Sequence, residues 1–198
     1  QEALAAYVAL AATKNATDLQ QANALRGAAS AARNLKDFAK ADELVERIPL
    51  PAVAMIVHME NLLAQRKHTE LLEQFGNEDF SKWPFTQVGP AAFARARAYL
   101  QSKNGKAAED DLQAALALTS DKRLLSSILV NLGHNRETNL KDDARALAAY
   151  RLNFEGKGRI GGAEEFRSVQ QAARILSRQG KHDEALQTLA KIDAAKQA

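Results

Sequence analysis

One short pattern recurs along the chain at an irregular interval of roughly 36 residues, and that recurrence restricts the fold more than any single motif. "RKHTELLEQF" (66–75) and "QGKHDEALQTL" (179–189) share Lys-His, one residue, Glu and then an apolar helical run. "LKDFAKADELVERI" (35–48) has the same shape with Phe38 in place of the histidine. "KNGKAAEDDLQAAL" (103–116) has Gly105 there, and "NLKDDARALAAYRL" (139–152) reads similarly. An apolar anchor three residues on falls at Ala41, Leu71, Ala108, Ala144 and Ala185. The first residues, "QEALAAYVAL", offer Ala3 with Tyr7 four positions later.

The residues between anchors favour helices. Hydrophobic residues make up 46% of the 198, and alanine carries much of that share. Alanine has the highest helix propensity and almost no side chain to order, so helices built from it can approach closely. No segment sustains the alternation of a strand. The periodicity predicts helix pairs at 20–34 with 38–48, 52–65 with 68–75, 90–102 with 105–118, 122–133 with 141–153, and 164–178 with 182–195. Residues 2–14 read as the second helix of a hairpin that lacks its first. Turns fall at "RNLKD", "QRK", "SKNGK" and "SRQGK", with Pro49 and Pro51 closing the first pair, and Asp18 and Asp121 stand where N-caps belong.

The last pair, "FRSVQQAARILSRQGKHDEALQTLAKID", places apolar or small residues at Phe166, Val169, Ala173, Leu176, Ala185, Leu189 and Ile192. This resembles the tetratricopeptide repeat, with Ala173 at the small position of the first helix, Ala185 at the alanine of the second and Leu189 at the large position. Ala96, Tyr99, Ala108, Leu112 and Ala115 match in the third pair, as do Ala29, Ala32, Ala41, Val45 and Ile48 in the first. No pair carries the full tryptophan-leucine-glycine-tyrosine signature. The second pair puts Met59 and Leu71 at its small positions, and the fourth has an extended turn, "GHNRETNLKDD". A generic helical-hairpin array of the Sel1-like kind is the competing reading. The resemblance implies an all-α fold, a right-handed superhelix of antiparallel helical hairpins. It would form a single domain over 1–198 with about five hairpins and a leading helix. On this reading the chain is a piece of a longer array.

An insertion around 75–90 interrupts the period. "FGNEDFSKWPFTQVGPAAF" (75–93) holds the single tryptophan, Trp83, beside Phe80 and Phe85. Such residues do not stay in water without reason. Trp83 and Phe85 either plug the seam between irregular hairpins or stand exposed as an aromatic anchor for a partner.

Several chemistries find no support. The chain has no cysteine, which excludes disulfides, thiol catalysis and thiolate metal sites. A net charge of +3 from 27 basic and 24 acidic residues, without a dense basic tract, argues against nucleic-acid binding. No 18-residue apolar run is present to insert in a membrane. Compartment is open, since exported and cytoplasmic proteins both fit. His68 and His182 occupy equivalent repeat positions and read as packing or turn residues, and His134 with Glu137 is a poor metal pair. Glu109-Asp110-Asp111 and Asp142-Asp143 read as exposed helix starts that favour the helix dipole. No nucleophile elbow surrounds Ser120, Ser126 or Ser127. No cofactor is expected. Gly156-Lys157-Gly158-Arg159-Ile160-Gly161 matches G-x-G-x-x-G, but a dinucleotide loop needs a strand before it. Helical sequence precedes it here, so these glycines read as a joint, with Gly156 and Gly158 suited to left-handed angles at a helix end.

What remains is the inner surface that the resemblance implies, lined by the first helix of each pair. It would carry Arg26, Arg33, Arg97, Arg174 and Arg178, with Ile56, Leu63, Leu124 and Ile128 from the second and fourth pairs. Arginine pairs well with carboxylates. The resemblance implies a non-enzymatic protein- or peptide-binding module, its partner acidic or bearing a free carboxylate, though the lysine-asparagine clamp of chaperone-binding members is not reproduced. The alternative is a structural or regulatory segment supporting an attached domain or a homodimer.

Overall fold

The computed structural model describes residues 1–156, 160 and 162–195, with side chains as far as Ile192. Among them stand eleven α-helices and no strand: α1 Glu2–Ala11, α2 Asp18–Asn34, α3 Phe38–Glu46, α4 Pro51–Ala64, α5 His68–Phe75, α6 Phe85–Gln101, α7 Gly105–Leu118, α8 Lys122–Thr138, α9 Asp143–Glu155, α10 Ala163–Arg178 and α11 His182–Ala195. The chain divides into two compact units, Gln1–Ala98 and Tyr99–Ala198, with the boundary inside α6. The first unit is cored by Ala22, Leu25, Ala28, Ala29, Ala32, Ala41, Leu44 and Val57, with Leu4 and Val8 of α1 packed against them. In the second, Ala146, Tyr150, Val169, Ala172, Ile175 and Leu176 pack together.

A single backbone device closes the hairpins. Lys36, Arg66, Lys103, Lys141 and Gly180 have φ of 60°, 62°, 60°, 56° and 76°. Each stands two residues before the helix that follows. The left-handed residue lets the next amide reach back to a carbonyl in the last turn: Asp37 N–H to Ala32 O at 3.0 Å, Lys67 to Leu62 at 2.9 Å, Asn104 to Tyr99 at 3.0 Å, Lys181 to Leu176 at 3.0 Å. This is the Schellman closure. The residue that closes one helix also opens the next, as Asp37 Oδ1 accepts from Lys40 N–H and Asn104 Oδ1 from Ala107 N–H. Between α8 and α9 the loop is longer by one residue, and Asp142 N–H reaches Arg136 O at 2.8 Å.

The start of α9 at Asp143 corrects the register of the fourth hairpin. The buried anchor is Ala146, three residues into α9, while Ala144 is exposed. Ala41, Leu71, Ala108 and Ala185 are buried as expected, and Ala3 is exposed. Phe166 and Leu189, expected in the core, are 42% and 40% exposed. The cap of α2 is Thr17, whose hydroxyl accepts from Gln20 N–H in a capping box, and Asp18 lies inside the helix. Asp121 caps α8 through Arg123 and Leu124 N–H. α6 begins five residues ahead of the expected start and carries Pro90 within it. Pro90 is the sixth residue of α6, past the first turn, where proline removes one i→i−4 hydrogen bond. Helices lie on both sides of the glycine joint, so the strand that a dinucleotide loop requires is absent. Gly156 has φ −124°, not the left-handed angle expected. Lys157, Gly158, Arg159 and Gly161 lie outside the described residues.

Two glycines show how closely the helices approach. A Cβ on Gly133 would stand 2.4 Å from the Tyr150 ring, which is 1% exposed and has nowhere to move. A Cβ on Gly27 would meet the Tyr7 ring at 2.7 Å, but that ring is 41% exposed. Gly133→Ala is therefore expected to destabilise the protein by about 2–3 kcal/mol. Gly27→Ala should change stability by no more than about 1 kcal/mol, because the alanine gains in helix propensity. Urea denaturation followed by circular dichroism checks both, and equal effects would refute the assignment of tight packing to Gly133. Lys36→Gly and Lys103→Gly should each stabilise by about 0.5–1 kcal/mol, since they remove the left-handed Cβ penalty against a smaller entropic cost. Unchanged or lowered midpoints would show that these lysines carry no backbone strain.

Candidate functional site

In the first unit, Arg26 and Arg33 stand seven residues apart on α2 and so share a face. Both reach Glu60 on α4, Arg26 at 3.2 Å and Arg33 at 2.8 Å. Arg33 also donates to Asn61 Oδ1 at 2.7 Å, and Asn61 Nδ2 donates to Asp42 Oδ1 on α3 at 2.8 Å. Asn61 is fully buried, so this chain of bonds ties three helices where water cannot compete. Burial holds the Arg33 guanidinium below the usual arginine range, against the raising effect of Glu60, and Arg26 and Arg97 lower it further. Ile56 and Leu63 of α4, expected to line the surface, belong to the core, and Glu60 is the α4 side chain that meets the arginines.

Arg97 differs from its neighbours. It feels Glu60, Arg33 and His68 electrostatically, yet it makes no ion pair or hydrogen bond among the described residues. Its one contact of note is Phe93, whose ring centre lies 6.0 Å from the guanidinium carbon. The residue is exposed, yet desolvation by surrounding protein depresses its pKa.

The aromatic insertion resolves into separate roles. Phe80, on a short 3-10 turn at Phe80–Lys82, is the buried plug. Trp83 stacks edge-on over it at 4.8 Å and donates its indole N–H to Glu78 at 3.0 Å. Arg95 lies over the other aromatic surface at 4.3 Å and donates to the carbonyls of Phe75 and Glu78. Phe85 stands apart, 68% exposed. The seam is thus filled by Phe80 and Trp83, and Phe85 takes no part in it.

In the second unit the two predicted arginines already hold carboxylates. Arg174 reaches Glu137 at 2.8 Å, and Arg178 reaches Glu137 at 3.3 Å and Asp143 at 2.7 Å. The Glu137 side chain is only 5% exposed and also accepts from the Tyr150 hydroxyl at 3.4 Å. Burial and Glu137 together push the Tyr150 phenol well above its ordinary range. The Glu137 carboxylate, which a site with His134 would need, is engaged by these donors. Ile128 is core. Ser126 donates to Asn153 Oδ1 and Asn153 to Ser168 Oγ, each at 2.8 Å, an inert buried link across α8, α9 and α10.

Glu109 corrects the reading of the acidic run. It is 7% exposed, not a solvated helix start. Arg136 donates to it from Nε at 2.9 Å and Nη2 at 2.8 Å, Arg145 at 2.7 Å, Gln113 at 2.9 Å and Asn135 at 3.3 Å. Sequence reasoning missed Glu60, Glu109 and Glu137 because single glutamates on helices look solvated. Their signal was an arginine surplus on facing helices that needed counter-charges.

Desolvation opposes ionisation of Glu109, but the bonds from Arg136, Gln113 and Asn135 outweigh it and lower its pKa below the ordinary 4.5. A lowered carboxylate stabilises the fold above its unfolded value and loses that contribution as pH falls through the folded one. Stability should therefore decline below about pH 4.5. Glu109→Gln should lose about 3 kcal/mol at neutral pH, by stranding Arg136, and should flatten part of the acid limb. A variant with the wild-type acid limb would remove Glu109 as its source.

No family model and no curated protein matches the sequence. Solved structures do. A crystal structure of MamA aligns at TM-score 0.66 and 18% identity, over 85% of this chain and 94% of that one. A second MamA structure, MSR-1 C2, aligns at 0.59 and 15%, over 89% and 97%. A MamA point mutant aligns at 0.56 and 16%, over 90% and 99%. The likeness concerns the fold: this chain is an all-α array of helical hairpins of the tetratricopeptide-like solenoid class.

Proposed function

We propose that the chain is a non-enzymatic binding module that takes an acidic peptide segment of a protein partner on the α2–α4–α6 surface of its first unit. The observation that carries this reading is Arg97: an exposed guanidinium that feels Glu60 through space but makes no ion pair or hydrogen bond among the described residues. The same surface holds two further arginines against a single glutamate, so its local balance is positive. An incoming carboxylate would supply Arg97 with the charge-assisted, forked pair that guanidinium favours. Arg26 and Arg33 are held by Glu60 and act as the fixed positive rim. Arg174 and Arg178, bound to Glu137 and Asp143, serve stability in this reading. The tetratricopeptide-like fold supports a binding role, since such arrays present extended surfaces to partners. The carboxylates that acid–base chemistry would need are engaged by arginines at Glu109 and Glu137.

Fluorescence anisotropy with labelled hexaglutamate and hexaglutamine peptides tests this at low salt. Wild type should prefer hexaglutamate by about tenfold or more, and Arg97→Gln should lose about tenfold, the worth of one charge-assisted contact. Equal binding of the two peptides, or an unchanged Arg97→Gln variant, would overturn the reading.

A further inference from the structure

α1 is apolar on every side, with Glu2 its one charged residue, yet Ala11 is its one buried residue. A helix of that composition is ordinarily covered all round. Its inner face, Leu4, Val8 and Ala11, belongs to the core of the first unit. Its Tyr7 ring lies against α2, where a side chain on Gly27 would stand. Helical spacing gathers Ala3, Ala6, Leu10 and Thr13 into a stripe on the side away from that core. All four are exposed, Leu10 by 57%. Beside the stripe a cleft of about 500 Å³ opens between α1 and α2, lined by Tyr7, Leu10, Thr13, Asn23 and Ala24 among others.

The stripe matches itself when a second copy is laid across it antiparallel. A two-fold axis at the middle of the helix sets Leu10 against Ala6 of the other copy and Thr13 against Ala3, each contact made twice. A large side chain then meets a methyl group, and the two helices can approach closely. The same register brings Glu2 of each copy to the end of the pair where Lys14 of the other lies, so the charges at both ends are opposite in sign. A parallel pairing would instead put Leu10 on Leu10 and Glu2 beside Glu2. The stripe has no charge of its own with which to select an acidic or basic partner. We propose that this face of α1 is a homodimer contact, in which a second copy of the chain lays its α1 antiparallel on the first, its first turn seated along the cleft beside Leu10 and Thr13. The contact is one helix wide, at the low end of interface size, so association is weak, with a Kd on the order of 10–100 µM.

Sedimentation equilibrium of the 198-residue chain tests this across a range from about 5 to about 500 µM, which brackets that Kd. Wild type should pass from monomer to dimer over the range. Leu10→Glu should raise the Kd by about tenfold or more, since it sets a carboxylate against alanine at two equivalent places. Its circular dichroism should match wild type, because Leu10 is not part of the core. Leu19→Glu, on α2 and 58% exposed outside the stripe, should dimerise as wild type does. The chain has no cysteine, so disulfide trapping reads the register directly. An oxidised mixture of Ala3→Cys and Thr13→Cys proteins should give the mixed disulfide in preference to either symmetric one. A wild type that stays monomeric throughout would overturn the assignment and leave the stripe to a different partner. A Leu10→Glu variant that dimerises like wild type, or symmetric disulfides that form as readily as the mixed one, would also overturn it.

Discussion

A carboxylate withdrawn from water between helices must be met by cations, and in this protein Glu60, Glu109 and Glu137 each meet two arginines. An unpaired charge in such a place would cost several kcal/mol, so the pairings are conditions for the packing. Glu60 joins α4 to α2, Glu109 joins α7 to α8 and α9, and Glu137 joins α8 to α10. Buried amides extend the same ties, with Asn61 between Arg33 and Asp42 and Asn153 between Ser126 and Ser168. In alanine-rich helices with little side-chain volume to interlock, these polar ties supply register that hydrophobic contact alone leaves loose.

The same pairings determine the chemistry of the surface. An arginine already paired with a carboxylate is a poor partner for a new anion, because the old pair must break first. Four of the five arginines singled out from the sequence are held in this way. Glu60 acts on Arg97 only through space, because α2 engages that glutamate with two guanidinium groups. The cation left over is therefore a consequence of how α2 and α4 meet.

Much of the fold could be read from spacing. The helix pairs, the turns and the buried anchors Ala41, Leu71, Ala108 and Ala185 followed from apolar periodicity and turn residues, because a hairpin must bury one stripe on each helix. The failures have local causes. The expected anchor Ala144 falls two residues early: Lys141 precedes α9 by two residues as in the other hairpins, and the third residue after the helix start is Ala146. Pro90 was taken for a helix start because nothing in the sequence says that a turn of helix precedes it. Phe80 was passed over for Trp83 and Phe85, although it alone lies beneath Arg95.

By itself the sequence determined an all-helical repeat and most of its hairpin boundaries, since these depend on contacts a few residues apart. It also determined that arginines recur at corresponding positions of the first helices. Which of those arginines are neutralised was decided only by the tertiary structure. Counter-charges come from helices some 27 to 41 residues away, and no local rule says which glutamate is drawn inward. Burial changes the worth of each charge, and burial is a property of the packed hairpins.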